Sequence, residues 1–242
     1  MNILLKNIKY NPQKFFYAEP FQMMIDHLKI YEGEFIGITG NSGSGKTTLA
    51  RLISSIVNPD SGEILYFSSN WKIRYEVQQI RRRLGYVFQF PERQFFRDSI
   101  YDDIFSGFPD GEVNLNSSAE KIKEFMELFE MNTELLKKVN FLQLSGGERR
   151  KAAVISALVK DPELLIMDEP TTGLDGVSCA KLLDLSERLR DSGKTVLWIT
   201  HDIDMIWNYT SRIVVLESGG LIFCGRREEL LKKRDILERL GI

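Results

Sequence analysis

Residues 35–49, Phe-Ile-Gly-Ile-Thr-Gly-Asn-Ser-Gly-Ser-Gly-Lys-Thr-Thr-Leu, leave few folds open to the chain that carries them. An apolar run, a glycine-rich loop and a helix-like continuation predict a buried strand, a tight loop and a helix start. Gly40, Gly45, Lys46 and Thr47 match the spacing G-x-x-x-x-G-K-[ST]. In that pattern, small residues let successive backbone N–H groups curl around a polyphosphate without interference from Cβ atoms. Asn41, Ser42, Gly43, Ser44, Gly45, Lys46, Thr47 and Thr48 are the candidate phosphate-binding residues. Lys46 is expected to neutralise charge on the β- and γ-phosphates, Thr47 to offer its hydroxyl to Mg²⁺, and the helix to present its positive end to the same group.

Composition narrows the partners. The 242 residues are 43% hydrophobic and 11% aromatic, enough for a substantial core. With 32 basic and 34 acidic residues, there is no bulk electrostatic case for nucleic acid or an anionic membrane. Cys179 and Cys224 stand far apart without metal-like spacing, and small buried or semi-buried side chains are expected there. The longest apolar runs are strand-sized, well short of the ~20 residues of a membrane span, and the opening residues do not form a secretory signal.

In chain order, residues 4–10 and 23–30 alternate as half-buried antiparallel strands do, and residues 11–20 between them are irregular. Tyr10, Phe15, Phe16 and Tyr17 are candidates to stack on an adenine ring. Residues 64–67 and 84–88 read as strands around a basic helix at 78–83, whose Arg81, Arg82 and Arg83 suit a solvated face. Gln89 ends the second of these, on the sheet edge where ligands bind in α/β proteins. Beyond it, residues 91–96 expose adjacent aromatics, 105–118 form a loop, and 119–131 and 133–139 are helical, so residues 90–160 read as a helical insertion. Ser145, Gly146 and Gly147 start a helix over 149–159 and offer a second anion site.

Residues 164–169, Leu-Leu-Ile-Met-Asp-Glu, read as a buried parallel strand that delivers two carboxylates to the edge holding the phosphate loop. Strand pleating is expected to point Asp168 and Glu169 to different sides, Asp168 to hold Mg²⁺ and Glu169 to deprotonate the attacking water. A helix over 178–190 and a strand over 195–200 then bring His201 to the same edge, where it would hydrogen-bond the γ-phosphate and the catalytic carboxylate. His27, among Met, Asp and Leu, is expected to be structural. A hairpin over 213–224 and one amphipathic helix over 227–240, with Leu230, Leu231, Leu237 and Leu240 on one side, close the chain.

The order of these motifs is what resembles the nucleotide-binding subunits of ATP-binding-cassette transporters, over nearly the whole chain: the loop 40–48, Gln89, the signature Leu144-Ser145-Gly146-Gly147-Glu148, Asp168 and Glu169, Asp175 and His201. The resemblance implies an α/β fold with a P-loop NTPase core, a mostly parallel sheet, an N-terminal antiparallel β subdomain and an inserted α-helical subdomain. It implies one domain over 1–242, with the α/β core at 1–89 and 161–226, the helical part at about 90–160 and a C-terminal helix at 227–242. ATP and Mg²⁺ are the implied ligands, with Thr47, Gln89 and Asp168 at the metal and Glu169, His201 and Lys46 in catalysis. The implied partners are a second ATPase subunit, either a copy of this chain or a paralogue, arranged head to tail so that Ser145 and Gly147 close over the other subunit's γ-phosphate, and transmembrane components at the cytoplasmic face of the membrane. Asp175 would link the two sites.

Residues 88–96 look most like the energy-coupling-factor and cobalt-type importer ATPases, in which this segment lines the groove for a membrane component's coupling helix. Three departures stand out: Glu148 replaces the usual signature glutamine, Gly176 stands where proline is common, and Pro12 falls near the expected adenine-stacking tyrosine. A cassette protein acting on ribosomes or DNA would generally carry two cassettes or long insertions. A nucleoside-type kinase would have no use for a signature.

Overall fold

The computed structural model describes residues 1–12, 21–95, 99–106, 115–132 and 139–241. Among them the strands are β1 (Asn2–Tyr10), β2 (Met23–Ile30), β3 (Phe35–Thr39), β4 (Ser61–Phe67), β5 (Leu84–Val87), β6 (Leu164–Asp168), β7 (Thr195–Ile199), β8 (Arg212–Glu217) and β9 (Gly220–Gly225). They form one sheet in the order β4-β1-β2-β9-β8-β3-β7-β6-β5. The run from β8 through β3, β7 and β6 to β5 is parallel, while β4, β1 and β2 pair antiparallel. This is the mostly parallel α/β core with antiparallel N-terminal strands that the sequence predicts.

The helices are α1 (Lys46–Ile53), α2 (Val77–Arg83), α3 (Ile100–Ser106), α4 (Leu115–Leu128), α5 (Gly146–Leu158), α6 (Gly176–Asp191), α7 (Ile203–Ile206), α8 (Arg227–Leu230) and α9 (Arg234–Leu240). Strands buried on both faces need apolar residues at every position, and β6 and β7 are buried throughout. Alternate residues divide between two cores. Leu165, Met167, Val196 and Trp198 pack with Ala152, Ala153 and Ile155 of α5 and Leu182 of α6. Leu164, Ile166, Leu197 and Ile199 pack with Leu49, Leu52 and Ile53 of α1. Each fully buried side chain of this size contributes about 1.5–3 kcal/mol, against about 0–1 for an exposed pair such as Lys123 with Glu127. The two cores therefore hold the loops that leave the sheet's carboxyl edge.

Several expectations change. The helix expected from residue 119 begins at Leu115, inside the predicted loop, and stops at Leu128 because Glu130 takes a left-handed φ of 56°. The helix expected over 133–139 falls largely outside the described residues. Phe95 is not an exposed aromatic: it is buried, stacked on Phe141 with ring centroids 4.6 Å apart, while Phe90 is exposed and Phe96 lies outside the described residues. The single C-terminal helix is two, α8 and α9. Breaking the phase at Lys233 lets both Leu230 and Ile236 be buried, and it leaves Leu231 exposed instead of on the packed side. Cys224 is also exposed, against the expectation of a buried or semi-buried side chain, and its Sγ accepts from the Arg212 guanidinium at 3.1 Å. Among the described residues no helix is long and apolar enough to cross a membrane.

Candidate functional site

Parallel pairing places the carboxyl ends of neighbouring strands side by side. Ile38 of β3 lies opposite Ile199 of β7, and Asp168 of β6 opposite the same Ile199, so the loop after Thr39, the acids at 168 and 169 and His201 reach one rim. They face a cleft of about 850 Å³ whose wall includes Asn41, Ser42, Gly43, Gly45, Lys46, Thr47, Thr48, Gln89, Asp168, Glu169 and His201. Eleven positions scattered over the sequence converge there, as expected. Ser44 does not line it. Its hydroxyl is buried beneath the loop without a hydrogen-bond partner.

The loop's course depends on glycine. A Cβ on Gly40, whose φ is 145°, would stand 2.1 Å from the Leu216 carbonyl oxygen. Gly45 has a φ of 105° and starts α1 with no side-chain cap, so the first N–H groups of that helix remain available to an anion. Lys46 Nζ donates to the carbonyls of Gly40 at 2.7 Å and Asn41 at 3.0 Å, which folds the ammonium back over the loop. Burial lowers the Lys46 pKa, and the Glu169 and Asp168 carboxylates oppose that shift.

The two carboxylates are separated by a mechanism the sequence does not reveal. β6 ends at Asp168, and Glu169 adopts a left-handed φ of 48°, so a turn and not the strand pleat divides them. Such strain persists only where the surroundings enforce it. Here the Glu169 N–H donates to the Ile199 carbonyl at 2.9 Å, and Glu169 Oε1 accepts from the His201 backbone N–H at 3.1 Å. The same oxygen lies 2.9 Å from His201 Nδ1, while the imidazole itself stays exposed.

Asp168 is buried, and neither of its oxygens completes a hydrogen bond. Burial raises its pKa. The nearby Thr47 hydroxyl eases the carboxylate without completing a bond of ordinary geometry, and the Glu169 charge pushes the pKa further up. A buried carboxylate with four unused lone-pair positions beside a threonine hydroxyl is the donor set a hard divalent cation takes. Thr47 and Asp168 therefore fit Mg²⁺, and Gln89 lines the same cleft.

Ser145, Gly146 and Gly147 are not part of the cleft wall. Ser145 caps α5 at the exposed surface, and Gly147 packs under the loop after β6, where an added Cβ would meet the Gly173 carbonyl oxygen at 3.0 Å. Asp175 caps α6, accepting from the Ser178 N–H at 2.8 Å and the Ser178 hydroxyl at 2.9 Å, so the helix starts at Gly176 without a proline.

The structure adds residues that sequence patterns miss. Pro12 and Phe21 line the cleft, whereas Phe15, Phe16 and Tyr17 lie outside the described residues. Phe21 sits so close to the loop that a Cβ on Gly45 would be 2.8 Å from its ring. Leu240 of α9 joins the wall, and Asn41 Nδ2 donates to the Arg239 carbonyl at 3.4 Å. Arg150 of α5 is buried. Its guanidinium donates to the carbonyls of Phe88 at 2.7 Å, Gln89 at 2.7 Å and Thr172 at 3.3 Å, which ties the signature helix to both Gln89 and the loop after Glu169.

A glycine loop at a helix start, facing acids on the next strands of a parallel sheet, defines an α/β protein of the phosphate-loop class. Within that class the chain belongs to the ABC transporter family, whose model matches residues 25–172. It is 38% identical over 213 residues to the energy-coupling factor transporter ATP-binding protein EcfA2 of Thermotoga maritima, covering 86% of this chain and 76% of that one. Among solved structures it is similar to cbiO1 of Clostridium perfringens, part of the ABC transporter complex cbiONQ, at 27% identity and a TM-score of 0.74, covering 99% of this chain and 94% of the other. It is also similar to the ATP-binding cassette MJ0796, solved as a dimer in a post-hydrolysis state bound to ADP and Pi, at 25% identity and a TM-score of 0.76, covering 93% and 98%.

Proposed function

We propose that this chain binds ATP with Mg²⁺, hydrolyses it in a pocket completed by a second cassette, and thereby drives uptake through separate membrane subunits of the energy-coupling-factor type. The observation that carries this reading is the division of the motifs. The phosphate loop, Asp168, Glu169, Gln89 and His201 share one cleft, while Ser145 stands exposed and Gly147 half-buried outside it. A signature at the surface has work to do only against another subunit's nucleotide. The names of the EcfA2 relative and of the cbiONQ complex support the membrane partners and a place at the cytoplasmic face of the membrane.

Backbone N–H groups of residues 41–48 would hold the phosphates, with Lys46 released from the Gly40 and Asn41 carbonyls to neutralise the β- and γ-phosphate oxygens. Glu169 would take a proton from water as the water oxygen bonds to the γ-phosphorus and the bond to the bridging oxygen breaks, leaving ADP and phosphate. His201 would hold Glu169 in place and reach the γ-phosphate from the exposed side of its ring. Mg²⁺, held by Thr47, Asp168 and Gln89, would neutralise phosphate charge. Ser145 and Gly147 of the second cassette would close the pocket, and Asp175 would sit between the two sites.

Glu169→Gln keeps an oxygen to accept the His201 N–H but cannot take a proton. The variant is expected to bind MgATP with little change while phosphate release falls by about 10²–10⁴-fold. Turnover at the wild-type rate would remove Glu169 from the role of base.

A further inference from the structure

The Ser145 hydroxyl has one proton to give, and Glu148 takes it. Ser145 Oγ donates to Glu148 Oε2 at 2.7 Å, the Ser145 backbone N–H donates to the same oxygen at 2.8 Å, and the Glu148 N–H returns a bond to Ser145 Oγ at 3.3 Å. This reciprocal cap needs a Glu or Gln at the third helical position, and either fills it. What Glu148 adds over glutamine is charge. The bonds from Ser145 hold its carboxyl below the ordinary range, with Lys151 helping, so it is an anion at neutral pH. Lys151 does not cancel that charge, because its Nζ also faces Asp175 Oδ2 at 4.0 Å.

An anion in the first turn stabilises the helix by itself. Beside a residue that must meet a triphosphate, it acts the other way. The γ-phosphate oxygen and the Glu148 carboxylate are rival acceptors for one hydroxyl proton, and they repel each other. We propose that Glu148 is a positioning residue that restrains closure of the two cassettes, holding the Ser145 proton away from the γ-phosphate until ATP is abundant. The inference rests on the reading that Ser145 closes over a nucleotide held by another cassette.

The test measures the MgATP concentration at half-maximal dimerisation by light scattering, with Glu169→Gln present throughout to prevent turnover. Glu148→Gln keeps the cap and removes the charge, so it is expected to lower that concentration about fivefold, the size of one solvent-exposed like-charge contact. Its melting temperature is expected to fall by about 1–4 °C, because the helix loses the anion in its first turn, so tighter dimerisation in this variant cannot come from a more stable helix. In a Ser145→Ala background the gain from Glu148→Gln is expected to fall to about twofold or less. With Glu169 restored, the same change is expected to lower KM for ATP and leave kcat nearly constant. An unchanged or raised midpoint in Glu148→Gln, or an equal gain without the Ser145 hydroxyl, overturns the inference while the shared pocket stands. Absence of dimers in every variant at saturating MgATP overturns the shared pocket itself, and the inference with it.

Discussion

Arg150 offers a test of how the site is held together. Its buried guanidinium reaches three carbonyls on two loops, two of them at 2.7 Å and one at 3.3 Å. Arg150→Met fills a similar volume and leaves the Phe88 and Gln89 oxygens without their donors. Phe88 is half-buried and Gln89 exposed, so water replaces part of what the guanidinium gave, and each stranded carbonyl costs about 1–2 kcal/mol. The desolvation that burial imposes on the arginine, which lowers its pKa against the opposing pull of Asp168, Glu92 and Glu169, is relieved at the same time and offsets part of the loss. A net destabilisation of about 2 kcal/mol follows, and for a chain of this size it lowers the melting temperature by about 4–8 °C. Arg150→Lys keeps the charge but cannot span three acceptors in a plane, so it is expected to recover less than half of the difference. Thermal unfolding followed by circular dichroism reads both values. A melting temperature within about 2 °C of wild type for Arg150→Met, or full recovery by lysine, refutes the clamp.

Gly40→Ala places a methyl 2.1 Å from the Leu216 carbonyl on backbone that disfavours alanine, so the variant is expected to lose measurable binding of a fluorescent ATP analogue. Asp168→Asn removes a buried, unpartnered charge and is expected to raise nucleotide-free stability by about 1–2 kcal/mol in urea titrations, while abolishing Mg²⁺-dependent phosphate release. Tyr66, buried with its hydroxyl donating to the Ile53 carbonyl, has its pKa pushed up to about 12 by desolvation, with the Ser55 hydroxyl partly offsetting the rise. The native state therefore keeps a proton that the unfolded chain loses above about pH 10, and stability falls as pH rises from there towards 12 by about 2 kcal/mol. Tyr66→Phe is expected to flatten that slope in denaturant titrations at stepped pH.

The parts of the site that were legible in the sequence are those written locally. A glycine loop at a strand end and two acids after four apolar residues carry their own geometry, because parallel strands bring their carboxyl ends to one edge. Contacts made only by packing were not legible. Arg150 follows Arg149 in a basic run no different in texture from Arg81 to Arg83, yet only Arg150 is fully buried against carbonyls. Phe95 and Phe96 look alike in sequence, and the stacking of Phe95 on Phe141 depends on a partner 46 positions away. The turn at Glu169 defeats pleat counting, since nothing in Met-Asp-Glu-Pro announces a left-handed residue. Leu240 lines the cleft from α9, beyond a break at Lys233 that the leucine spacing does not show.

The most direct test of the shared pocket is the mass of the Glu169→Gln protein in solution, measured by light scattering with and without saturating MgATP. A monomer that becomes a dimer with nucleotide, and returns when the nucleotide is removed, is the predicted result. A mass that stays monomeric, while the wild-type chain hydrolyses ATP at a turnover independent of its own concentration, would place the whole catalytic site within one cassette and contradict the account.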